Sequence, residues 1–98
     1  MQLLSMHTRE EKVAAFGRLL DFIDTLRVQC PWNAAQTMDS IRPMTEEEVY
    51  ELSETILDRD RPGTAKEIGD LLYHMVFYAR IAQEEGAFDI ADSLNKVR

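Results

Sequence analysis

The chain has 98 residues, enough for one domain, and its 18 acidic against 11 basic residues leave a net charge of -7. That balance excludes a broad basic footprint for nucleic acid and would repel a free anionic ligand unless cations intervened. Cys30 is the single cysteine, which excludes an internal disulfide and is read as a small loop hydrophobe. No apolar stretch approaches the roughly 18 residues of a membrane span, and Met1 to His7 lacks the core of a secretory signal, so a soluble cytoplasmic protein is expected. Met6 offers a second start, which would make the first five residues a poorly ordered extension.

Strand signals are nearly absent. Thr8 with Glu11 forms a capping box, followed at helical spacing by Val13, Phe16, Leu19, Leu20, Ile23 and Leu26, which predicts a helix over about Arg9 to Val28. Its acids Glu10, Glu11, Asp21 and Asp24 read as a solvated face. Cys30 to Gln36 reads as a loop fixed by Pro31, and Thr37 as the cap of a short turn through Ile41 that Pro43 interrupts. Thr45 with Glu48 makes a second box, with a Met44 to Val49 staple, and starts a third helix. On it Val49, Leu52 and Ile56 share one face, Glu47, Glu51 and Glu54 the opposite one, and Glu48 lies near the border.

Asp58 to Gly63 punctuates the chain before a third box of Thr64 and Glu67. The fourth helix runs to about Glu85, with Gly86 as its stop. Ile68, Leu71, Leu72, Met75, Val76, Ala79 and Ala82 give it a broad apolar surface, which predicts the most buried helix. Asp89 caps a last helix from Ile90 that has barely two turns before Arg98, as in a piece of a longer protein. One all-helical unit results, without repeats or linkers.

Two acidic clusters, Glu47-Glu48-x-x-Glu51 and Glu67-x-x-Asp70, carry the chemistry. Residues three and four apart project from one side of a helix, so each cluster can converge on a point. The helix dipole accounts for Glu46, Glu47 and Glu48 in a first turn, but not for Glu51 or Glu54. Glu67 has a competing role in its capping box. Asp70 lies between Ile68 and Leu71 in the most apolar helix, where an unpaired carboxylate is costly. Together they read as ligands of a hard divalent cation, Mg2+ or Mn2+, that keeps positions open for substrate phosphates. His74, one turn beyond Asp70, reads as a hydrogen-bonded structural histidine, and Tyr73, Phe77 and Tyr78 as packing residues. Trp32, beside Asn33 and Gln36, suits either base stacking or a plug in the core.

The segments Cys30-Pro31-Trp32-Asn33-x-x-Gln36-Thr37, Ser40-Ile41-Arg42-Pro43, Glu47-Glu48-Val49-Tyr50-Glu51, Glu67-Ile68-Gly69-Asp70-Leu71-Leu72 and Glu84-Glu85-Gly86-Ala87-Phe88-Asp89 resemble, in order, the MazG nucleoside triphosphate pyrophosphohydrolases. The resemblance runs from about Thr8 to the C-terminus. It implies one domain over 1–98 with a final helix cut short, and an all-α bundle of four to five helices completed by dimerisation. It also implies a homodimer or higher homo-oligomer that hydrolyses a nucleoside triphosphate to monophosphate and pyrophosphate, with no nucleic-acid or membrane partner.

Carried over by motif, Glu47, Glu48, Glu51, Glu67 and Asp70 become the Mg2+ site; Glu47 and Glu48 are the catalytic candidates, Glu48 as an inner-sphere ligand and Glu47 as the alternative general base that orients the water. Trp32, Asn33, Gln36 and Arg42 fall in nucleotide-binding motifs. Two departures are visible. Asn33, Ala34 and Ala35 replace the family's usual aspartate and charged residue, and the basic, histidine-containing segment that usually follows is missing after Lys96 and Arg98. The alternatives are a catalytically weak nucleotide-binding or oligomerisation domain of a longer protein, and a purely structural helical dimerisation domain.

Overall fold

The computed structural model describes residues 6–97, so the extension expected over residues 1–5 lies outside the described residues. Five helices follow in order: α1 (Arg9–Gln29), α2 (Pro31–Ala34), α3 (Met38–Leu57), α4 (Arg61–Glu84) and α5 (Ile90–Asn95). The described residues hold no strand, as the all-helical reading requires. No described helix is long and apolar enough to cross a membrane.

The capping box at the start of α1 forms as predicted: Thr8 Oγ1 accepts from the Glu11 amide, and a Glu11 carboxylate oxygen from the Thr8 amide. The expected Cys30 to Gln36 loop contains a helical turn, α2, because Pro31 pre-sets φ at the first helical position, where its missing N–H costs nothing. The larger departure is α3. It is one continuous helix from Met38, with Pro43 inside it, where an interruption was expected. Pro43 removes the bond to the Asp39 carbonyl close to the exposed N-terminal end. Ile41, before it, is buried in the core, and Thr45, after it, is hydrogen-bonded to α4, so both sides of the proline stay in one helix.

The second capping box therefore does not form. Thr45 lies inside α3, where its hydroxyl meets His74 Nδ1 at 2.7 Å and also contacts Tyr78 Oη. The third box is also absent. The α4 cap is Asp60, whose side chain accepts from the Gly63 amide, while the Thr64 hydroxyl donates to the Asp60 carbonyl. Glu67 is thus released from the competing capping role. At the far end Gly86 stops α4 at φ 74, with Ala87 N–H bonded to the Ala82 carbonyl and Gly86 N–H to that of Gln83. Asp89 caps α5 as predicted.

The α3–α4 pair is an antiparallel hairpin, since Thr45 meets His74 while Thr55 meets Thr64 near the turn. Along α1 the partners run the other way, Asp24 to Arg80 and Arg27 to Glu84, so α1 lies parallel to α4. Asp24 is accordingly ion-paired rather than simply solvated.

The core gathers Ile23, Ile41, Val76, Phe77 and Ile81. Complete burial of a side chain such as Phe77 contributes about 1.5–3 kcal/mol. More buried residues come from α4 than from any other described helix, as expected. Its apolar surface is nevertheless divided: Val76, Ala79 and Ala82 turn inward, while Ile68, Leu72 and Met75 are more than 40 % exposed. Val49 and Ile56 form a comparable exposed stripe on α3.

Candidate metal and nucleotide site

Glu48 comes from α3 and Glu67 and Asp70 from α4. Each offers a carboxylate oxygen, and the three oxygens lie within 4.8 Å of one another. They meet because both cluster positions face across the hairpin, three and four residues from apolar positions that pack it. Glu67 is buried, and its Oε1, like Oε2 of Glu48, lacks a hydrogen-bond partner among the described residues. The Glu67 carboxyl against Glu48, together with burial and the charges of Glu67, Glu51 and Asp70, pushes the Glu48 pKa up to about 7.

Carboxylates crowded in this way favour either a shared proton or a cation. The donor set is all oxygen, which suits Mg2+ or Mn2+ rather than a soft metal. Two buried orphan oxygens in one cluster of three carboxylates fit such an ion.

One local cation approaches. Lys66 Nζ lies 2.8 Å from Asp70 Oδ2 and 3.8 Å from Glu67 Oε2. The Lys66 side chain is 70 % exposed, so water screens these contacts strongly. Neither contact reaches the orphan oxygens, which are Glu48 Oε2 and Glu67 Oε1. The sequence reading missed Lys66, although its spacing of four from Asp70 was a usable signal. Glu47 and Glu51, the other two carboxylates of the expected set, are exposed and lie outside the cluster of three, one turn or less from Glu48.

The expected nucleotide-binding residues divide in a similar way. Trp32, on α2, is 57 % exposed, whereas Asn33 beside it is buried. Asn33 Oδ1 accepts from Tyr73 Oη, and its Nδ2 donates to Cys30 Sγ. One end of the amide therefore holds the loop against α4, and the other braces the loop on itself. Gln36 Nε2 donates to the Trp32 carbonyl, and its Oε1 accepts from Ser40 Oγ. Arg42 projects into solvent with a long contact of 3.8 Å to Glu46.

Trp32, Met44, Tyr73, His74 and Phe77 help line a crevice of about 30 Å³. His74 follows Asp70 by four residues, about 6 Å along the α4 axis, so the His74 wall of the crevice lies near the carboxylates. Burial lowers the His74 pKa, opposed by the Asp70 charge, and Thr45 holds Nδ1. The expectation of a hydrogen-bonded histidine is met, with Thr45 as a partner the sequence reading had placed in a cap.

Residues 36–98 match the MazG nucleotide pyrophosphohydrolase domain. Over 78 residues the chain is 46% identical to the nucleoside triphosphate pyrophosphohydrolase of Escherichia coli K12, covering 76% of this chain and 30% of that protein. It is 40% identical over 79 residues to the nucleoside triphosphate pyrophosphohydrolase/pyrophosphatase MazG of Thermotoga maritima, covering 79% and 31%. The chain thus spans about a third of the length of these relatives. The crystal structure of a mazG-related protein from Thermotoga maritima superposes with a TM-score of 0.73 at 28% identity, over 83% of this chain and 71% of that one. With these motifs on this helical frame, the chain belongs to the MazG nucleotide pyrophosphohydrolase domain family.

Proposed function

We propose that this chain, as one domain from about Thr8 to its C-terminus, hydrolyses a nucleoside triphosphate, deoxy or noncanonical, to the monophosphate and pyrophosphate in the cytoplasm. The observation that carries the reading is the pair of buried, partnerless oxygens on Glu48 and Glu67 beside Asp70. These three would hold Mg2+ or Mn2+, with Glu51 near the rim. When bound, the ion would lower the pKa of a water and neutralise charge on the phosphate oxygens.

The remaining roles belong to the chain's own groups. Glu48 must give up its proton before a cation can enter, because a ligating carboxylate is deprotonated. Glu47, exposed and next in sequence, would take the proton of the water attacking the α-phosphorus at one of its carboxylate oxygens. Trp32 offers an exposed ring on which a base can stack, while Asn33 and Gln36 set the shape of the loop. Arg42, its side chain exposed to solvent, would add a cation for the triphosphate. The exposed stripes Val49/Ile56 and Ile68/Leu72/Met75 support association into a homodimer or higher homo-oligomer, since apolar faces of this kind seek cover.

The test is a panel of nucleoside triphosphates incubated with the protein and MgCl2, analysed for monophosphate and pyrophosphate. Product is expected from at least one triphosphate, and Asp70→Asn should abolish both product and the rise in melting temperature caused by Mg2+ alone. Absence of product across the panel would remove the enzymatic reading, and a melting shift with nucleotide would then leave a binding domain.

A further inference from the structure

Arg27 is the most heavily engaged side chain of α1, yet it lies at the far end of α4 from the carboxylates. Its Nε donates to Glu84 at 2.9 Å and its Nη2 to the same carboxylate at 2.9 Å, a forked pair. Its Nη1 donates at 2.8 Å to the Asn33 carbonyl and at 2.8 Å to that of Gln36. The guanidinium carbon also lies 5.7 Å from the centre of the Phe77 ring, and the side chain is only 12 % exposed.

Asn33 and Gln36 flank the C-terminal end of α2, where carbonyl oxygens point outward and attract a cation; that of Asn33 accepts the Gln36 amide and Arg27 together. Glu84 is itself held in place, since Arg80 Nε lies 3.3 Å from its Oε2 and Arg80 also pairs with Asp24. One planar group therefore ties three parts of the chain together: the end of α1, the end of α4 and the short helix that carries Trp32. A lysine ammonium has no such fork and cannot serve the carboxylate and both carbonyls at this spacing.

We propose that Arg27 is the positioning residue for nucleotide binding: by bridging Glu84 to the carbonyls of Asn33 and Gln36 it sets where the Trp32 ring stands. The role in binding rests on the function proposed above, whereas the bridging of the loop does not. The opposite side of α2 keeps its own tie, from Tyr73 through Asn33 to Cys30, so losing Arg27 loosens the loop without releasing it.

The chain has a single tryptophan, so its fluorescence reports this loop alone. Arg27→Lys is the main variant and Glu84→Gln, which removes the other anchor, is the second in case the first fails to fold. Acrylamide quenching of Trp32 without nucleotide should increase in both, while helical circular dichroism and the Mg2+ concentration that half-saturates the melting shift stay as in wild type. With a triphosphate that the wild type turns over, KM should rise about tenfold, a loss equal to 1.4 kcal/mol, with kcat within about twofold.

Unchanged quenching in the folded variants overturns the bridge. Increased quenching with unchanged KM, or a fall in kcat alone, overturns the role in binding. If the wild type turns over no triphosphate, the functional proposal fails by itself, and the nucleotide-free quenching still decides whether Arg27 sets the loop.

Discussion

Helix α4 holds two glutamates near its ends in opposite electrical circumstances. Glu84, on the α1 side, is gripped by Arg27 and flanked by Arg80, and these partners hold its pKa below the usual carboxylate range. Glu67, on the α3 side, faces Glu48 and Asp70 instead, with one buried oxygen unpartnered and only a distant, exposed lysine nearby. A carboxylate that serves the fold is given its cation by the chain itself. A carboxylate left without one is destabilising to the empty fold and open to a cation from outside.

The contrast predicts opposite signs for the same substitution. Glu67→Gln should cut turnover by about 100-fold or more, because a ligand worth several kcal/mol of charge stabilisation is lost. In the absence of metal it should raise the melting temperature, since one member of a like-charged cluster is gone. Glu84→Gln should lower the melting temperature, by about 1 kcal/mol of stability after allowance for solvent screening. Thermal denaturation of both variants in EDTA checks the pair, and a metal-free Glu67→Gln less stable than wild type would contradict the account.

The two ends should also respond oppositely to pH. The raised pKa of Glu48 gives stability that is present below its ordinary value of 4.5 and lost as pH rises through about 7. The lowered pKa of Glu84 gives stability present above its ordinary value and lost as pH falls. Metal-free wild type should therefore lose stability as pH is raised from about 4.5 to about 7, a slope that Glu48→Gln removes. Mg2+ affinity should rise over the same interval, with protons released on binding. Calorimetry in two buffers of different ionisation enthalpy measures that release. The smallest effect is expected for Lys66→Met, which should slightly lower the metal-free melting temperature and slightly strengthen Mg2+ binding, because its exposed ammonium competes weakly for Asp70.

Much of this was readable from residue spacing. The helical class, the starts of α1 and α5 and the glycine stop of α4 follow from local rules, and the structure contains them. The approach of Glu48 to Glu67 and Asp70 was readable as two clusters awaiting a partner. What failed were local rules overridden by packing. Thr45 and Thr64 each precede a glutamate by three, but tertiary hydrogen bonds and the Asp60 cap take those threonines elsewhere. Pro43 was read as a break because sequence cannot show Ile41 and Thr45 being held on either side of it. Arg27 was unreadable as a strut, since its partners lie as many as 57 residues away.

The three converging carboxylates all sit on a single helical hairpin whose connection is the short segment from Asp58 to Asp60. Closing so short a link costs little chain entropy, and contacts between near neighbours in sequence form quickly. The acidic cluster is therefore expected to assemble early as the chain collapses, ahead of the docking of α1. Its mutual repulsion is then met by the first folded hairpin, and divalent cations in the refolding medium should speed the reaction as well as stabilise its product.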